Sequence, residues 1–408
     1  MSHDRITQLR IRGMRAIDDL TLDLRGLAVL IGDNGSGKST LLEALELLRQ
    51  AAKPIDYVSD IVVRRHGGLH SLLRRGAQEL RLGVTVEGAG PRLEYDFAIA
   101  NVGNAPAVVN ERLVVATEPP VIFPLVRTGK TARVSIPGEN VLEVNIDSEI
   151  LAVASFGVTA KWMFQRITDA LKRIEQHVSF ETRPLWQQRE LDLRVGPRWP
   201  ATVERAGALV RYALNLPNCF QELRNLGDKV WTRVIERARI GLGEDLRSFR
   251  LAASGRGNIE LEVVFGSLPD RPLPAECLSE GQLSYLAFIA LVELNQERSL
   301  LAFDEPEVHL HPALLARVVW MLEEVAETSP VIVATHSDRF LDALADPAGS
   351  VVLCELDEQR AMRLRRPNAR RLAEWLESYR GLGAVRSEGY EAHVFDNDLS
   401  ESALTESD

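Results

Sequence analysis

Five consecutive apolar residues, Leu27-Ala28-Val29-Leu30-Ile31, run straight into Gly32-Asp33-Asn34-Gly35-Ser36-Gly37-Lys38-Ser39, and Leu41, Leu42, Leu45 and Leu48 then recur at helical spacing. A short unbroken apolar run reads as a strand covered on both faces, the habit of parallel sheets. The leucine spacing puts one apolar stripe on a helix. Strand, glycine-rich loop and helix in that order commit the chain to an α/β architecture. The loop fits GxxxxGK[ST], in which glycines let backbone N–H groups close around a phosphate at the positive end of the following helix. The cradle comprises Gly32, Asn34, Gly35, Ser36, Gly37, Lys38, Ser39 and Thr40. Lys38 is expected to reach the β- and γ-phosphates of a nucleotide, and the Ser39 hydroxyl to ligate Mg²⁺.

Three further motifs follow, each attached to a predicted element. Leu300-Leu301-Ala302-Phe303 is a second buried strand, and it ends on Asp304-Glu305-Pro306. Acidic residues at the carboxyl end of a central strand sit where α/β sheets place ligands. Asp304 there can hold Mg²⁺ and Glu305 can polarise an attacking water as general base. Leu278-Ser279-Glu280-Gly281-Gln282 precedes a helix, so Ser279 and Gly281 offer a hydroxyl and an approachable backbone at a second phosphate-binding helix end. Ala334-Thr335-His336-Ser337 follows the strand Val331-Ile332-Val333, and His336 can bond the γ-phosphate or the attacking water. Taken singly, these three also read as a solvated strand end, a helix cap and a loop histidine.

Their order and spacing resemble the ABC ATPase superfamily: P-loop, LSEGQ signature, Walker B strand with Asp-Glu, then a strand-ending histidine. The opening Leu9-Arg10-Ile11-Arg12-Gly13-Met14-Arg15 resembles the start of RecF, SMC and OLD-type ATPases. Asp304-Glu305-Pro306-Glu307-Val308-His309-Leu310-His311-Pro312 looks like the DEPExxLHP form of the stand-alone AAA-type ATPases in that branch. The resemblance implies ATP with Mg²⁺ and a homodimer with nucleotide at its interface, Ser279 and Gly281 of one subunit meeting the ATP on the P-loop of the other. Glu280 departs from the transporter motif, which has glycine there. Glu307, His309 and His311 are spaced as a metal set could be, but His311-Pro312 reads as the start of a helix.

The implied fold class is α/β: a RecF-like ATPase head, a mixed sheet with flanking helices, carrying an inserted antiparallel β region and a helical lobe. The predicted divisions are an N-terminal ATPase lobe at 1–77, the β insertion at 78–150 and the helical lobe at 151–255. A C-terminal ATPase lobe at 256–385 and a disordered acidic tail at 386–408 complete them. Leu80, Leu82, Val84 and Val86 are expected to face Leu93, Tyr95, Phe97 and Ile99 in a hairpin. Met163, Ile167, Leu171 and Ile174 set a helical period.

With a net charge of -10, an indiscriminate nucleic-acid binder is disfavoured. Contact with double-stranded DNA would fall to local clusters at Arg64/Arg65, Arg74/Arg75 and Arg363/Arg365/Arg366/Arg370/Arg371. The three cysteines, Cys219, Cys277 and Cys354, are expected to be buried thiols of a cytoplasmic protein. No membrane span or nuclease segment is read. The expected role is an ATP-gated dimer acting on DNA or on an effector, in repair or anti-phage defence. The alternative is an ATP-timed scaffold serving a toxin or nuclease partner.

Overall fold

The computed structural model describes residues 3–53, 58–116, 122–135, 140–156, 162–191, 194–294, 297–377, 379–389 and 394–395. Its centre is a six-stranded sheet in the order Ile174–His177, Leu300–Asp304, Val331–Ala334, Leu27–Ile31, Val351–Leu356, Met362–Arg365. The first five strands are mutually parallel, and the last turns back antiparallel. The apolar runs at 27–31 and 300–304 therefore stand inside the sheet, and the strand Val331–Ala334 lies between them.

Side chains on a strand alternate between faces, and here the alternation separates two hydrophobic cores. Leu30, Ala302, Ile332, Ala334, Val352 and Cys354 belong to one, with Leu41, Leu42, Leu45 and Leu48 of the helix Lys38–Ala51. Leu27, Val29, Ile31, Leu301, Phe303, Val331 and Val333 belong to the other. That second core takes in the helices Leu216–Asn225, Asp228–Leu242, Glu280–Glu293 and Pro312–Ala326. The helix Glu280–Glu293 is buried at every position from Leu283 onward, as its almost wholly apolar sequence requires.

A second sheet of eight antiparallel strands closes the first core. Its order is Ile17–Asp23, Arg5–Met14, Glu79–Glu87, Arg92–Val102, Ala105–Ala116, Ile122–Thr128, Thr131–Val134, Leu142–Asn145. The hairpin register pairs Leu80 with Ile99, Leu82 with Phe97, Val84 with Tyr95 and Val86 with Leu93. A small third sheet pairs Leu246–Ala253 with Asn258–Phe265, which also holds the two-residue strands Ala201–Thr202 and Leu273–Pro274.

Several predicted divisions cut across these sheets. Arg5–Met14 pairs directly with Glu79–Glu87, so the antiparallel region grows from the opening strands and no seam falls at 77/78. The 255/256 division falls in the turn of a hairpin, and the stretch predicted as a helical lobe contributes Ile174–His177 to the central sheet. Ile174, expected to continue a helix, begins that strand after the helix Trp162–Lys172 ends. The tail predicted to be loose from 386 is packed in part: the helix Leu382–Ser387 runs through the boundary, residues 387–389 are exposed, and Val394 and Phe395 are buried. Phe395 also bridges to Pro367. Residues 390–393 and 396–408 of that stretch lie outside the described residues. Cys219 and Cys354 are buried, but Cys277 is exposed, because it precedes the exposed helix start at Ser279. Among the described residues no helix is long and apolar enough to cross a membrane.

The inner strand Leu300–Asp304 depends on packing around Phe303, whose ring lies 4.9 Å from Phe288, 5.3 Å from Phe180 and 5.7 Å from His177. Replacing Phe303 by alanine leaves a cavity on the face that positions Asp304. The expected cost is about 3–5 kcal/mol, read as a lowered denaturant midpoint, and a loss below about 1 kcal/mol would contradict this packing.

Candidate functional site

The loop after Leu27–Ile31 takes a shape that only glycine allows at its corners. Gly32, Gly35 and Gly37 have φ of 136°, 82° and 106°, a region side chains avoid. A Cβ on Gly32 would collide with the Cys354 carbonyl, and one on Gly37 would lie 2.7 Å from Met362 Sδ. The loop is thus wedged against the next strands of the sheet. Gly37 caps the helix Lys38–Ala51 in a left-handed conformation, which turns the first helical N–H groups towards the loop.

Lys38 is buried, and its ammonium donates to the carbonyls of Gly32 at 2.7 Å and Asp33 at 3.0 Å. Burial holds its pKa below the usual lysine value, reinforced by Arg386, while Asp304 and Asp33 act in the opposite sense. A cation folded over its own loop is a stored counter-charge for an anion. Asn34, Gly35 and Ser39 are exposed around it, while Ser36 and Thr40 are buried.

The neighbouring strand ends are stitched to the same level. Thr335 N–H donates to Leu30 O at 3.1 Å, and Glu305 N–H donates to Ala334 O at 2.8 Å. The ladder therefore carries the P-loop, the His336 segment and the Asp304-Glu305 pair to one edge. Burial, then the carboxylates of Glu305 and Glu307, push the Asp304 carboxyl above its usual range, while Lys38 and His336 pull the other way. Glu305 is exposed and adopts φ 52°, a left-handed conformation held by the buried Pro306 that follows. Backbone strain of this kind costs about 1–3 kcal/mol and concentrates at functional sites. His336 is exposed as well.

The residue least expected here is Glu307, which sequence reading weighed only as part of a metal set. Thr335 Oγ1 donates to Glu307 Oε1 at 2.6 Å, and His336 N–H donates to the same oxygen at 3.3 Å. The other oxygen, Oε2, is buried without a hydrogen-bond partner. The three residues of the supposed metal set look in different directions: Glu307 to Thr335, His309 to Glu280, and His311 to Ala313 N, which it caps at 3.3 Å. Threonine before histidine after a buried strand, read with the second glutamate of DEPE, was the available signal for the Glu307 contact.

A divalent cation fits this edge. Three carboxylates crowd it, one with a raised pKa and one with a buried, unpartnered oxygen, facing one lysine and one histidine.

Ser279 and Gly281 stand apart from this cluster in their contacts. Ser279 is the exposed N-cap of Glu280–Glu293, and its Oγ accepts the Gln282 N–H at 3.2 Å while Gln282 Oε1 accepts the Ser279 N–H at 3.0 Å. That is a capping box, so the ordinary reading of the motif is realised. The cap leaves the serine at a solvent-facing helix end where a phosphate can also bind. The basic clusters are largely tied within the chain: Arg64 to Asp60, Arg74 to Asp18, Arg363 to Asp357, Arg365 to Glu355 and Arg366 to Gly349 O.

Two family models match separate parts of the chain. Residues 5–87 match the model of the "AAA ATPase domain", and residues 239–342 match "AAA domain, putative AbiEii toxin, Type IV TA system". The first stretch contains the P-loop, and the second contains the signature, Asp304, Glu305 and His336. Protein ea59 of Escherichia phage lambda is 44% identical over 63 residues, which are 15% of this chain and 12% of that protein. The structure is similar to an SMC head bound to the C-winged helix domain of ScpA, with TM-score 0.53 and 13% identity over 88% of this chain and 97% of that one. An SMC head with an extended coiled coil derived from Pyrococcus furiosus gives TM-score 0.49 and 12% identity, over 92% of this chain and 99% of that one.

Because the folded chain disfavours an ionised Asp304, neutralising it should cost the unliganded protein nothing. Asp304→Asn is expected to melt at or above the wild-type temperature alone. The wild type should gain about 2.7 kcal/mol at Mg²⁺-ATP a hundredfold above Kd, most of which the variant should lose. Equal gains in both proteins would remove Asp304 from the cation site.

Proposed function

From a chain with the fold of a RecF/SMC-like ABC-type P-loop ATPase, we propose a protein that binds and hydrolyses ATP with Mg²⁺ and closes as a homodimer around it. The observation that supports this reading is the gathering of Lys38, Asp304, Glu305 and His336 at the ends of three adjacent strands, while Ser279 and Gly281 lie at a separate, solvent-facing helix start. One chain then holds two half-sites, and a second copy completes each.

Lys38 exchanges its loop carbonyls for the β- and γ-phosphates of ATP, guided by the open N–H groups at the start of Lys38–Ala51. Asp304 and Ser39 hold Mg²⁺, which neutralises charge on the phosphates when bound. Glu305, exposed at the site's rim, takes a proton from the attacking water. His336, its backbone fixed by Glu307, donates towards the γ-phosphate. Ser279 and Gly281 of the partner close the site, and hydrolysis reopens it.

The closed and open states act on DNA or gate an effector, in repair or anti-phage defence. The reading with a protein partner and no DNA contact draws specific support from two facts. The segment 239–342 matches a model described by a toxin system, and several cluster arginines, among them Arg64, Arg74, Arg363 and Arg365, are paired within the chain. Under that reading the ATPase is a timed scaffold for a toxin or nuclease.

Steady-state hydrolysis separates these. Glu305→Gln should bind ATP normally and lose about 10²–10⁴-fold in turnover. Ser279→Arg should keep single-site binding and lose turnover because closure is blocked. Wild-type rates in either variant would overturn the composite site. Stimulation by duplex DNA supports the DNA-acting form, and indifference to DNA supports the scaffold.

A further inference from the structure

The helix Pro312–Ala326 carries opposite chemistry on its two sides. Leu315, Val318, Leu322 and Val325 are buried against the core, whereas Trp320, Glu323, Glu324 and Glu327 follow at the i, i+3, i+4, i+7 spacing of one outward stripe. That stripe is unfavourable for the helix by itself. Its last turn holds no basic residue, although the carbonyl end of a helix is its negative pole. Glu323 and Glu327 also set like charges four residues apart, which adds repulsion. Glu324 is neutralised by Arg237 at 2.7 Å. Among the described residues no lysine or arginine pairs with Glu323 or Glu327.

The stripe is one wall of a groove of about 490 Å³, and Ala345, Asp346 and Ser350 belong to the other. Glu323 Oε1 accepts the Ala345 N–H at 2.8 Å, which fixes the two walls together. None of the residues lining the groove is basic. Its apolar surface comes from Leu27 and from Trp320, which is 53% exposed. The Arg237 guanidinium lies 5.3 Å from the centroid of the Trp320 ring. The ring is thereby held in place before anything binds, which lowers the ordering cost of binding. Leu27 begins the strand whose far end runs into the P-loop, so the groove opens at the opposite edge of the sheet from Lys38.

We propose that this groove docks a basic peptide segment of a partner protein. A lysine or arginine head enters among Glu323, Glu327 and Asp346 at the carbonyl end of the helix, and an apolar neighbour lies on Trp320 and Leu27. Charge complementarity selects this occupant. The lining carboxylates repel nucleic acid or an acidic segment, and a second copy meeting groove to groove would set carboxylates against carboxylates. Docking there requires neither nucleotide nor a dimer, so it stands or falls apart from the ATPase reading.

The test measures binding of a short fluorescent peptide of alternating lysine and leucine, its ends blocked, to the full chain without nucleotide. The wild type should bind it saturably, and more weakly as salt rises. Glu327→Lys should weaken binding at least about tenfold, and Trp320→Ala at least about threefold. Glu327 is exposed with no side-chain partner among the described residues, and a cation suits a helix end, so Glu327→Lys should melt no lower than wild type. Asp270→Lys makes the same charge change in an exposed turn outside the groove and should bind within about twofold of wild type. Equal losses in Asp270→Lys and Glu327→Lys would reduce the binding to net charge and overturn the groove, as would a wild type that does not saturate. Spermidine that displaces the probe as well as unlabelled peptide does would overturn the peptide as occupant in favour of a free polycation.

Discussion

The structure hangs on a parallel sheet buried on both faces. Leu27–Ile31, Leu300–Asp304 and Val331–Ala334 send alternate side chains into two separate cores, so no strand can shift register without moving apolar residues out of both. That rigidity is what holds a strained loop and several like charges at the strand ends. A left-handed Glu305, a lysine turned onto backbone carbonyls and a crowded Asp304 are each unfavourable alone. They persist because the sheet beneath over-determines them.

The site is electrostatically incomplete in the chain itself. Buried cation and crowded carboxylates face one edge, with Lys38 engaged by carbonyls that a phosphate would displace. The signature end of Glu280–Glu293 satisfies the N–H groups of Ser279 and Gln282 through a capping box and still leaves Ser279 exposed. Under the proposed function, phosphate, cation and a second helix end would complete this arrangement together.

What could be read from the sequence followed from local chemistry. The P-loop strand and helix, the Asp304-Glu305 strand end, the His311-Pro312 helix start and the four-pair hairpin from Leu80 to Ile99 each rest on residues close in sequence. What could not be read depended on partners far away. The pairing of Arg5–Met14 with Glu79–Glu87 erases a division that composition suggested. Ile174 continues a helical period in the sequence but is captured as a strand beside Leu300. Glu307 shows its role only once Thr335 and His336, about thirty residues on, fold back beside it.

Under the proposed function, ATP joins two of these chains through their half-sites. Sedimentation of Glu305→Gln with Mg²⁺-ATP and with Mg²⁺-ADP tests it most directly. A dimer is expected with ATP, a monomer with ADP, and a monomer in both when Ser279→Arg is added. A Glu305→Gln chain that stays monomeric at saturating ATP, or a dimer indifferent to both nucleotide and Ser279, would contradict it.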